Sequence, residues 1–390
     1  MPIPKEIEAL RGEMTVWRRD LHAHPETGFE ERRTSALVAE KLKSFGLRVH
    51  KGLGRTGVVG TLRAGSGKGA IGLRADMDAL PLKENNSFAH RSRTDGKMHG
   101  CGHDGHTAML LGAAKYLAAT KRFSGTVHFI FQPAEEGLGG GREMVEQGLF
   151  KKFNCDSVYG MHNWPGMPFG QFGVRPGPLM ASCDLFEIEL TGHGCHAAMP
   201  HTGADPVVAA AALVLALQTI PSRSVDPIES SVVSVTQIHA GDAYSVIPDK
   251  VLLRGTTRAF SPAVQKLIER RMKEICAGVA AAHGTKAALR YTRAYPPTVN
   301  SARETGTCAA VLERLVGAKN ITEPKPVMGS EDFSFMLGEK PGCYVFAGSG
   351  PVKNGATLHN PAYDFNDALL PLGAAYWAAL AEHILAKQRK

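Results

Sequence analysis

The amino-acid sequence predicts an α/β protein in which a second, smaller domain is inserted into the first. The chain has 390 residues, which is long for one hydrophobic core and favours two domains. Its first and last parts alternate helix and strand patterns, whereas the central part has the order β-α-β-β-α-β of a split βαβ, or ferredoxin-like, unit. We therefore expect residues 1–182 and 297–390 to form one domain, with residues 183–296 inserted between them.

The outer domain is predicted from hydrophobic periodicity, because spacings of three and four indicate helices and short apolar runs indicate strands. Its expected elements are helices over 5–23 and 30–45, strands over 58–62 and 70–74, a helix from about 104 to 119, strands over 126–131 and 157–161, a helix near 302–317, a strand near 343–347 and a terminal helix near 369–387. Polar clusters follow three of these strands. Since functional groups in open α/β sheets gather beyond the strand ends, the site is expected there.

The inserted domain shows a different rhythm, in which alternating β-rich segments surround two longer helical segments. Its expected elements are strands over 186–191, 231–239, 251–258 and 287–292 and helices over 204–220 and 262–282. Pro262 stands at the start of the second helix, where a missing backbone N–H is tolerated. This pattern predicts a compact α/β sandwich of its own.

Charge and hydropathy exclude several classes of partner. Lys and Arg exceed Asp and Glu by 45 to 37, but the basic residues are scattered and their longest clusters are pairs such as Arg18-Arg19. Nucleic acid is therefore not an expected partner, and anionic small substrates are favoured. Residues 1–6 lack the apolar core of a signal peptide. No apolar run is expected to be long enough to span a bilayer, so no membrane partner is expected.

The number and spacing of the cysteines indicate the cellular compartment of the protein. There are seven, an odd number, and they are dispersed along the chain. A disulfide framework needs paired cysteines, so this distribution argues against one and favours the reducing cytoplasm.

The segment from Met98 to His106 concentrates metal-binding chemistry. It contains a thiol, three imidazoles and a carboxylate separated by glycines. Cys and neutral His are favoured ligands of zinc-like divalent ions, and glycine lets the backbone approach an ion closely. Cys101 and His103 are two residues apart, so both can face the same side of a turning segment.

Five candidate ligands lie beside Gly, Pro or Asn in predicted loops at strand ends: Cys101, His103, Glu136, His162 and His359. Each alone is more often a structural residue, since a lone His is usually hydrogen-bonded and a lone Cys usually belongs to the core. Together they exceed the ligands of one structural zinc, and the paired Cys spacing of a zinc finger is missing. The set therefore predicts a dinuclear catalytic site with open positions for water and substrate.

Two acidic clusters complete this predicted site. If Glu135 and Glu136 are extended, their side chains point to opposite sides, so Glu136 can bind metal while Glu135 acts as a base. A solvated acidic pair is the alternative. Asp78, after the strand over 70–74, could orient a ligating imidazole or cap the strand end. His22 and His24 close the first helix and are interpreted mainly as capping or supporting residues.

The inserted domain carries weaker candidates. His196 could donate a hydrogen bond to a developing oxyanion, although its residue type alone favours a structural role. Arg258 lies at the end of a predicted strand and could bind a substrate carboxylate through two hydrogen bonds. A simple surface arginine is the equally weighted alternative.

The chain resembles the aminoacylase / hippurate hydrolase family of dinuclear metallo-amidohydrolases, which also includes plant indole-acetyl-amino-acid hydrolases and bacterial N-acetyl-diaminopimelate deacetylases. The similarity extends over nearly the whole chain and is carried by eight ordered blocks: DLHAHPETGFEE (20–31), GLRADMDALPL (72–82), MHGCGHDGHTAML (98–110), FQPAEEGLGGG (131–141), GMHNWPGMPFG (160–170), GHGCHAAMPHTGADPV (192–207), GSEDFSFM (329–336) and LHNPAYDFND (358–367).

The resemblance implies a catalytic domain of the zinc-peptidase type and an inserted lid and dimerisation domain. It implies two divalent ions per subunit, held by the five candidate ligands, with Glu135 as the base. It also implies that His196 assists the site of a partner subunit in a homodimer or higher homo-oligomer. The ions could be zinc, manganese, nickel or cobalt, and the resemblance leaves open which ligand bridges them.

One position departs from the family pattern. The family usually has Asn before Val-Ile-Pro, where this chain has Ser245. That Asn is expected to contact substrate, so Ser245 is the residue expected at that position beside the acyl group or carboxylate. The expected activity is hydrolysis of an N-acyl-L-amino acid, hippurate-like or N-acetylated, through a metal-bridging water that Glu135 activates. A deacetylase of N-acetyl-diaminopimelate, a dipeptidase and a metal-binding scaffold without turnover are the alternatives.

Overall fold

The computed structural model describes residues 3–352 and 355–386. Within it the chain divides into two compact units. Unit 1 runs to Gly177 and then contains Val299–Lys325 and the chain from Asp332 onward, and unit 2 contains Pro178–Thr298 and Pro326–Glu331. The short return of 326–331 to unit 2 has no counterpart in the sequence-based boundaries.

The helices of the described residues are α1 (Lys5–Glu8), α2 (Arg11–Ala23), α3 (Arg32–Ser44), α4 (His103–Thr120), α5 (Gly140–Glu146), α6 (Leu149–Lys152), α7 (Pro206–Leu217), α8 (Pro262–Ala282), α9 (Ala302–Val316), α10 (Phe333–Glu339) and α11 (Leu369–Ile384). Short 3₁₀ turns lie at Pro200–Thr202 and Ala318–Asn320, and a π turn at Ile220–Ser224 follows α7.

The strands are β1 (Arg48–Leu53), β2 (Gly57–Ala64), β3 (Ala70–Asp76), β4 (Gly125–Gln132), β5 (Ser157–Trp164), β6 (Phe172–Gly173), β7 (Gly177–Met180), β8 (Cys183–Thr191), β9 (Cys195–His196), β10 (Ser231–Ala240), β11 (Val246–Ile247), β12 (Lys250–Ala259), β13 (Lys286–Tyr295), β14 (Thr298–Asn300), β15 (Ile321–Thr322) and β16 (Gly342–Gly348).

Unit 1 is built on a mixed eight-stranded sheet with the order β1-β2-β4-β3-β5-β16-β6-β15. Its centre is parallel, because β3 pairs in parallel with both β4 and β5, and β5 pairs in parallel with β16. The carboxyl ends of these strands therefore meet at one edge. That edge carries the polar clusters that follow Asp76 and Gln132 and the strand residue His162, which explains how distant segments reach one site.

Helix α4 starts at that edge and runs into the core of unit 1. Most of its residues are buried, including His103, Leu110 and Leu117. A helix that is apolar all round belongs in an interior rather than at a surface. Here α4 contacts α2, α11 and β3. Its first turn is thereby fixed to the sheet that carries the other polar clusters.

Unit 2 has the four-stranded antiparallel sheet β10-β12-β8-β13. Strand β8 alternates, with Phe186, Ile188 and Leu190 buried. These residues join one core with the apolar faces of α7 and α8, as a sheet with one covered face requires. The chain order β8-α7-β10-β12-α8-β13 confirms the predicted βαββαβ unit, and the mixed sheet of unit 1 confirms the α/β fold class.

Several local predictions differ from the structure. The helix expected over 5–23 is two helices, α1 and α2, separated by Ala9 and Leu10. The strand expected to end before His162 continues to Trp164. Strand β1 was not predicted, because its pattern is short and largely exposed. Helix α11 ends at Ile384, and the predicted end at residue 387 lies outside the described residues.

One helical stretch is longer and more apolar than was expected from the sequence. Within the described residues, Pro206–Ser224 is long and apolar enough to cross a membrane by length and composition alone. Helices of protein cores meet the same criterion, so this property by itself is weak support for a membrane span. The expectation that no run reaches this length was therefore wrong for α7 together with the π turn after it.

Candidate metal centre

The first candidate ligands lie where α4 begins. Cys101 precedes the helix and His103 is its first residue. Between them Gly102 has a φ of 95°, in the left-handed region, and a Cβ at this position would approach Asn163 Oδ1 to 2.2 Å. Only glycine fits such a position without a shift of its neighbours. The tight turn therefore brings the thiol and the imidazole to the same edge of the sheet.

All five predicted ligands converge in unit 1. Cys101 Sγ lies 3.4 Å from His162 Nε2. Glu136 Oε1 lies 3.1 Å from His359 Nε2 and 3.9 Å from His103 Nε2. Two three-residue groups, each with its ligand atoms within 4.8 Å of one another, contain Cys101: one with His103 and His162, the other with Glu136 and His359. Cys101 is thus shared by both groups.

The imidazoles of His103 and His162 present the same nitrogen to the centre. His103 Nδ1 donates to the carbonyl oxygen of Asp78 at 2.9 Å, and His162 Nδ1 donates to that of Asn163 at 2.7 Å. In the neutral form of each ring, which is the form that binds metal, Nε2 is then the nitrogen without a proton. Such an outer hydrogen bond fixes the ring and its tautomer in metal sites, so the backbone has prepared both rings as ligands.

The electrostatics of the centre fit a bound cation. His103 Nε2 and Glu136 Oε1 are buried without a hydrogen-bond partner among the described residues. Burial alone would lower the pKa of His103, but Asp76 and Asp78 outweigh it and raise that pKa to about 10. Burial, with Glu136 and Glu135, raises the pKa of the Cys101 thiol. The acidic groups around His103 and Cys101 favour a positive charge in this centre. A divalent metal ion would supply that charge in place of protons, so these residues are suited to bind metal.

Asp78 contacts two of the ligands. Its Oδ1 lies 3.3 Å from His103 Nδ1, and its Oδ2 accepts a hydrogen bond from the Glu136 backbone N–H at 3.0 Å. The side chain is 1% exposed. One carboxylate therefore links the helix that carries His103 to the turn that carries Glu136, which is more than the capping role considered as the alternative.

The arrangement of Glu135 and Glu136 corrects the sequence-based expectation. They were expected in an extended segment, but they lie in a turn that covers Glu135–Leu138. The reason is local: Ala134 has a φ of 54° and Gly137 a φ of 79°, so the chain leaves β4 by turning sharply. Glu136 faces the imidazoles, whereas Glu135 Oε1 lies 3.4 Å from the backbone N of Asp332. Both carboxylates remain near His103, since one oxygen of each lies within 4.8 Å of a nitrogen of that ring, but Glu135 alone contacts the Asp332 N–H.

Sequence reasoning missed a buried network beneath the ligands. His106 Nδ1 donates to Asp76 Oδ1 at 2.6 Å, and its Nε2 lies 2.7 Å from Asn163 Oδ1. Arg74, 1% exposed, donates to Asp76, Gln132 and Asp332. Burial alone would raise the pKa of Asp76, but His103, His106 and Arg74 hold it well below its usual range. The sequence did contain one indication of this network: Arg74 and Asp76 are charged residues two positions apart in a strand whose other residues are mostly apolar and buried.

The histidines of the first helix lie behind this network. His22, fully buried, has its Nδ1 at 2.8 Å from Asp104 Oδ2 and its Nε2 at 3.2 Å from Glu84 Oε1. Although burial would lower it, these two carboxylates raise the pKa of His22 to about 9. His24 Nδ1 donates to the backbone oxygen of Asp20 at 2.8 Å, as a residue closing the helix does. Neither belongs to a ligand group among the described residues.

The remaining candidates, His196, Ser245 and Arg258, belong to unit 2. His196 in β9 is paired with Val246 in β11, and the Ala197 N–H donates to the Ser245 carbonyl at 2.9 Å, so His196 and Ser245 are neighbours. His196 Nδ1 accepts from the Ala198 N–H at 3.1 Å, which leaves its exposed Nε2 as a donor. Arg258 Nη1 donates to Cys183 Sγ and the Thr257 carbonyl. No carboxylate of the described residues forms an ion pair with Arg258.

Metal should protect Cys101 from alkylation. A thiol that ligates metal is shielded when the ion is bound, whereas chelation leaves a thiol that reacts through its thiolate. We expect labelling of Cys101, measured by peptide mass spectrometry at alkaline pH, to rise after chelation. Cys195, half-buried in unit 2, is the control and should label equally in both states. Equal labelling of Cys101 in both states, or full metal content in Cys101→Ala, would contradict its role as a ligand.

The chain is similar to known proteins over most of its length. Residues 72–383 match the family model of peptidase family M20/M25/M40. Hippurate hydrolase of Campylobacter jejuni is 44% identical, with 98% of this chain and 99% of that protein covered. The IAA-amino acid hydrolase ILR1-like 2 of Arabidopsis thaliana is 42% identical, with 95% and 85% covered.

The structural comparison agrees with the sequence comparison. The crystal structure of the YXEP protein of Bacillus subtilis, described as a dinuclear metal binding peptidase from the M20 family, is similar with a TM-score of 0.85 and 32% identity. The similarity covers 97% of this chain and 99% of that one. The YXEP protein and this chain therefore share the fold over essentially their full length. The chain belongs to peptidase family M20/M25/M40.

Proposed function

We propose that this protein is a metal-dependent amidohydrolase that cleaves N-acyl-L-amino acids to a carboxylic acid and a free amino acid. The observation that carries this proposal is the convergence of five S, N and O ligands with a further carboxylate, Glu135, which has an oxygen within 4.8 Å of ligand atoms of His103 and Glu136. A chain that only bound metal would have no need of that further carboxylate. The hydrolase names of the two sequence relatives support an amide of an amino acid as the substrate.

Two divalent ions per subunit would be held by these ligands. The residues that would hold them are His103 and His162, Glu136 and His359, and Cys101, which belongs to both groups. Bound there, the ions would polarise the scissile carbonyl and lower the pKa of a water molecule. Thiolate and imidazole ligands suit zinc, nickel and cobalt, and the carboxylate also allows manganese. Metal analysis of the purified protein decides between these ions.

The residues of this chain would divide the proton transfers. Glu135 takes a proton from the attacking water and later delivers it to the nitrogen of the departing amino acid. His196 donates its Nε2–H to the oxyanion that develops on the acyl carbonyl, consistent with the tautomer set by the Ala198 N–H. Arg258, without a carboxylate partner, is the candidate for the carboxylate of the amino acid. Ser245, beside His196, is the candidate for contact with the rest of the substrate.

We further propose that unit 2, residues 183–296 in the sequence-based division, acts as lid and dimerisation domain. Strand β10 is an edge of its sheet, and α7 exposes Val207, Val208 and Leu215, the last at 73%. An unpaired strand edge beside exposed apolar side chains is typical of a protein–protein interface. In a homodimer formed through this face, we propose that His196 acts in the partner subunit's site.

The location we propose is the cytoplasm. All seven cysteines are free thiols, four of them deeply buried in unit 1. Free thiols are the normal state in reducing compartments. Small anionic substrates remain the proposed partners, because the excess of basic residues is spread over the chain rather than gathered in a patch.

A substrate panel tests the proposed function. Hippurate, several N-acetyl amino acids, N-acetyl-diaminopimelate and a simple dipeptide are assayed side by side on metal-analysed protein, with and without chelator. We expect release of free amino acid from acyl amino acids, lost on chelation and restored by metal. Turnover of only N-acetyl-diaminopimelate or only the dipeptide would favour the corresponding alternative. No turnover of any compound by the dinuclear protein would favour a scaffold.

A further inference from the structure

Glu31 is a buried carboxylate that is not among the metal ligands. It is 0% exposed and precedes α3. Its Oε1 accepts a hydrogen bond from the Ala134 backbone N–H at 2.8 Å, and its Oε2 accepts one from Thr56 Oγ1 at 2.6 Å. Both oxygens are therefore used, and one of them reaches the residue directly before Glu135.

Ala134 needs support from outside its own segment. It is fully buried and has a left-handed φ of 54°, a conformation that a residue with a Cβ rarely adopts. Its carbonyl accepts a hydrogen bond from the Gly140 N–H at 2.9 Å. Its N–H is held by Glu31. The left-handed residue is what turns the chain from β4 into the turn with Glu135 and Glu136, so its backbone conformation sets the position of both carboxylates.

We propose that Glu31 is a positioning residue for Glu135, acting through the Ala134 amide. The carboxylate of Glu31 holds Ala134 in the left-handed conformation and thereby directs Glu135 toward the substrate and Glu136 toward the metals. The inference rests on the proposed hydrolase function for its kinetic consequences. Its structural part, the control of the Ala134 amide, is measurable without turnover.

The chemistry of the position supports a functional rather than a stabilising role. Within the described part of the chain, no Lys, Arg or His forms an ion pair with Glu31. Burial, together with the nearby Asp78 and despite the hydrogen bond from Thr56, raises the pKa of Glu31 to about 7. A buried carboxyl without a cation costs stability. Residues kept at such a cost are typical of functional sites.

Two substitutions of similar size separate the hydrogen bond from packing. Glu31→Gln keeps an oxygen for the Ala134 N–H and places an NH₂ against Thr56 Oγ1, so kcat should stay near the wild-type value. Glu31→Met fills the same space without an acceptor. We expect it to lower kcat roughly tenfold to a hundredfold, the range for a misplaced catalytic group, with KM and metal content unchanged.

A third substitution tests the conformational step. Glycine adopts the left-handed region without the strain of a Cβ. Ala134→Gly in the Glu31→Met background should therefore recover part of the kcat that Glu31→Met loses. Amide hydrogen exchange provides the readout that is independent of activity: the peptide containing Ala134 should exchange faster in Glu31→Met than in Glu31→Gln or the wild type.

The outcomes distinguish this inference from the proposed function. A wild type that hydrolyses no compound of the panel overturns the function, while the exchange measurement still decides the role of Glu31. An active wild type with equal kcat and equal exchange in Glu31→Met overturns the inference. Equal losses in Glu31→Gln and Glu31→Met would also overturn it, as would loss of metal in parallel with kcat or the failure of Ala134→Gly to recover activity.

Discussion

Glu135→Gln is expected to remove almost all turnover while the fold and the metals remain. The amide cannot accept the proton of the attacking water, but its oxygen can still accept the Asp332 backbone N–H that Glu135 contacts at 3.4 Å. Removing a general base typically costs about a hundredfold to ten-thousandfold in rate. The measurement is kcat on the best acyl amino acid of the panel, with metal content determined on the same sample.

The control for this substitution is another carboxylate of the same region. Glu143 in α5 pairs with Arg55 at 3.0 Å and lies outside the ligand groups of the described residues, so Glu143→Gln should leave kcat unchanged. Near-normal kcat in a Glu135→Gln protein that holds both metals would reject Glu135 as the base. Loss of metal together with activity would instead assign Glu135 to the metals.

His196→Ala is expected to have the second largest effect. Because Nδ1 of His196 accepts a hydrogen bond from the Ala198 N–H, the proton of the neutral ring is on Nε2, which can donate it. Losing one oxyanion donor costs roughly a hundredfold to a thousandfold in kcat. Metal content should not change, because His196 belongs to unit 2 and to no ligand group of the described residues. The neighbouring exposed His201 is the control, and His201→Ala should keep kcat near the wild-type value.

A mixture of two inactive variants shows which subunit supplies His196. After subunit exchange between Glu135→Gln and His196→Ala, each mixed dimer has one site with an intact Glu135. If His196 acts on the partner's site, the partner supplies an intact His196 there, and part of the wild-type activity returns. A mixture that demonstrably exchanges subunits but stays inactive rejects action across the dimer.

Most helices and strands could be predicted from the sequence, because hydrophobic periodicity is a local property. The βαββαβ order of unit 2 and helix α8, expected and observed over 262–282, could be predicted since apolar residues at helical or strand spacing must face a core. Strand β1 could not be predicted, because it is short and mostly exposed and depends on pairing with β2. Its existence is decided by a neighbour and not by its own residues.

The turn at Ala134 marks where local reasoning about the site failed. The sequence suggested an extended Glu135-Glu136 pair, because alternation is the simplest way to separate adjacent side chains. The actual separation comes from a left-handed alanine held by Glu31 and from the contact of Glu135 with Asp332. Both partners are distant in the sequence, so no local pattern could indicate them.

By itself, the sequence determined the fold class, the inserted unit and the residue types of a metal centre, since periodicity and ligand chemistry are written in local patterns. Only the tertiary structure decided that the five ligands meet, that Cys101 belongs to both groups and that Asp76, His106, Arg74 and Asp332 form the network beneath them. The physical reason is that parallel strands end at one edge, where the sheet brings together side chains from segments far apart in the chain.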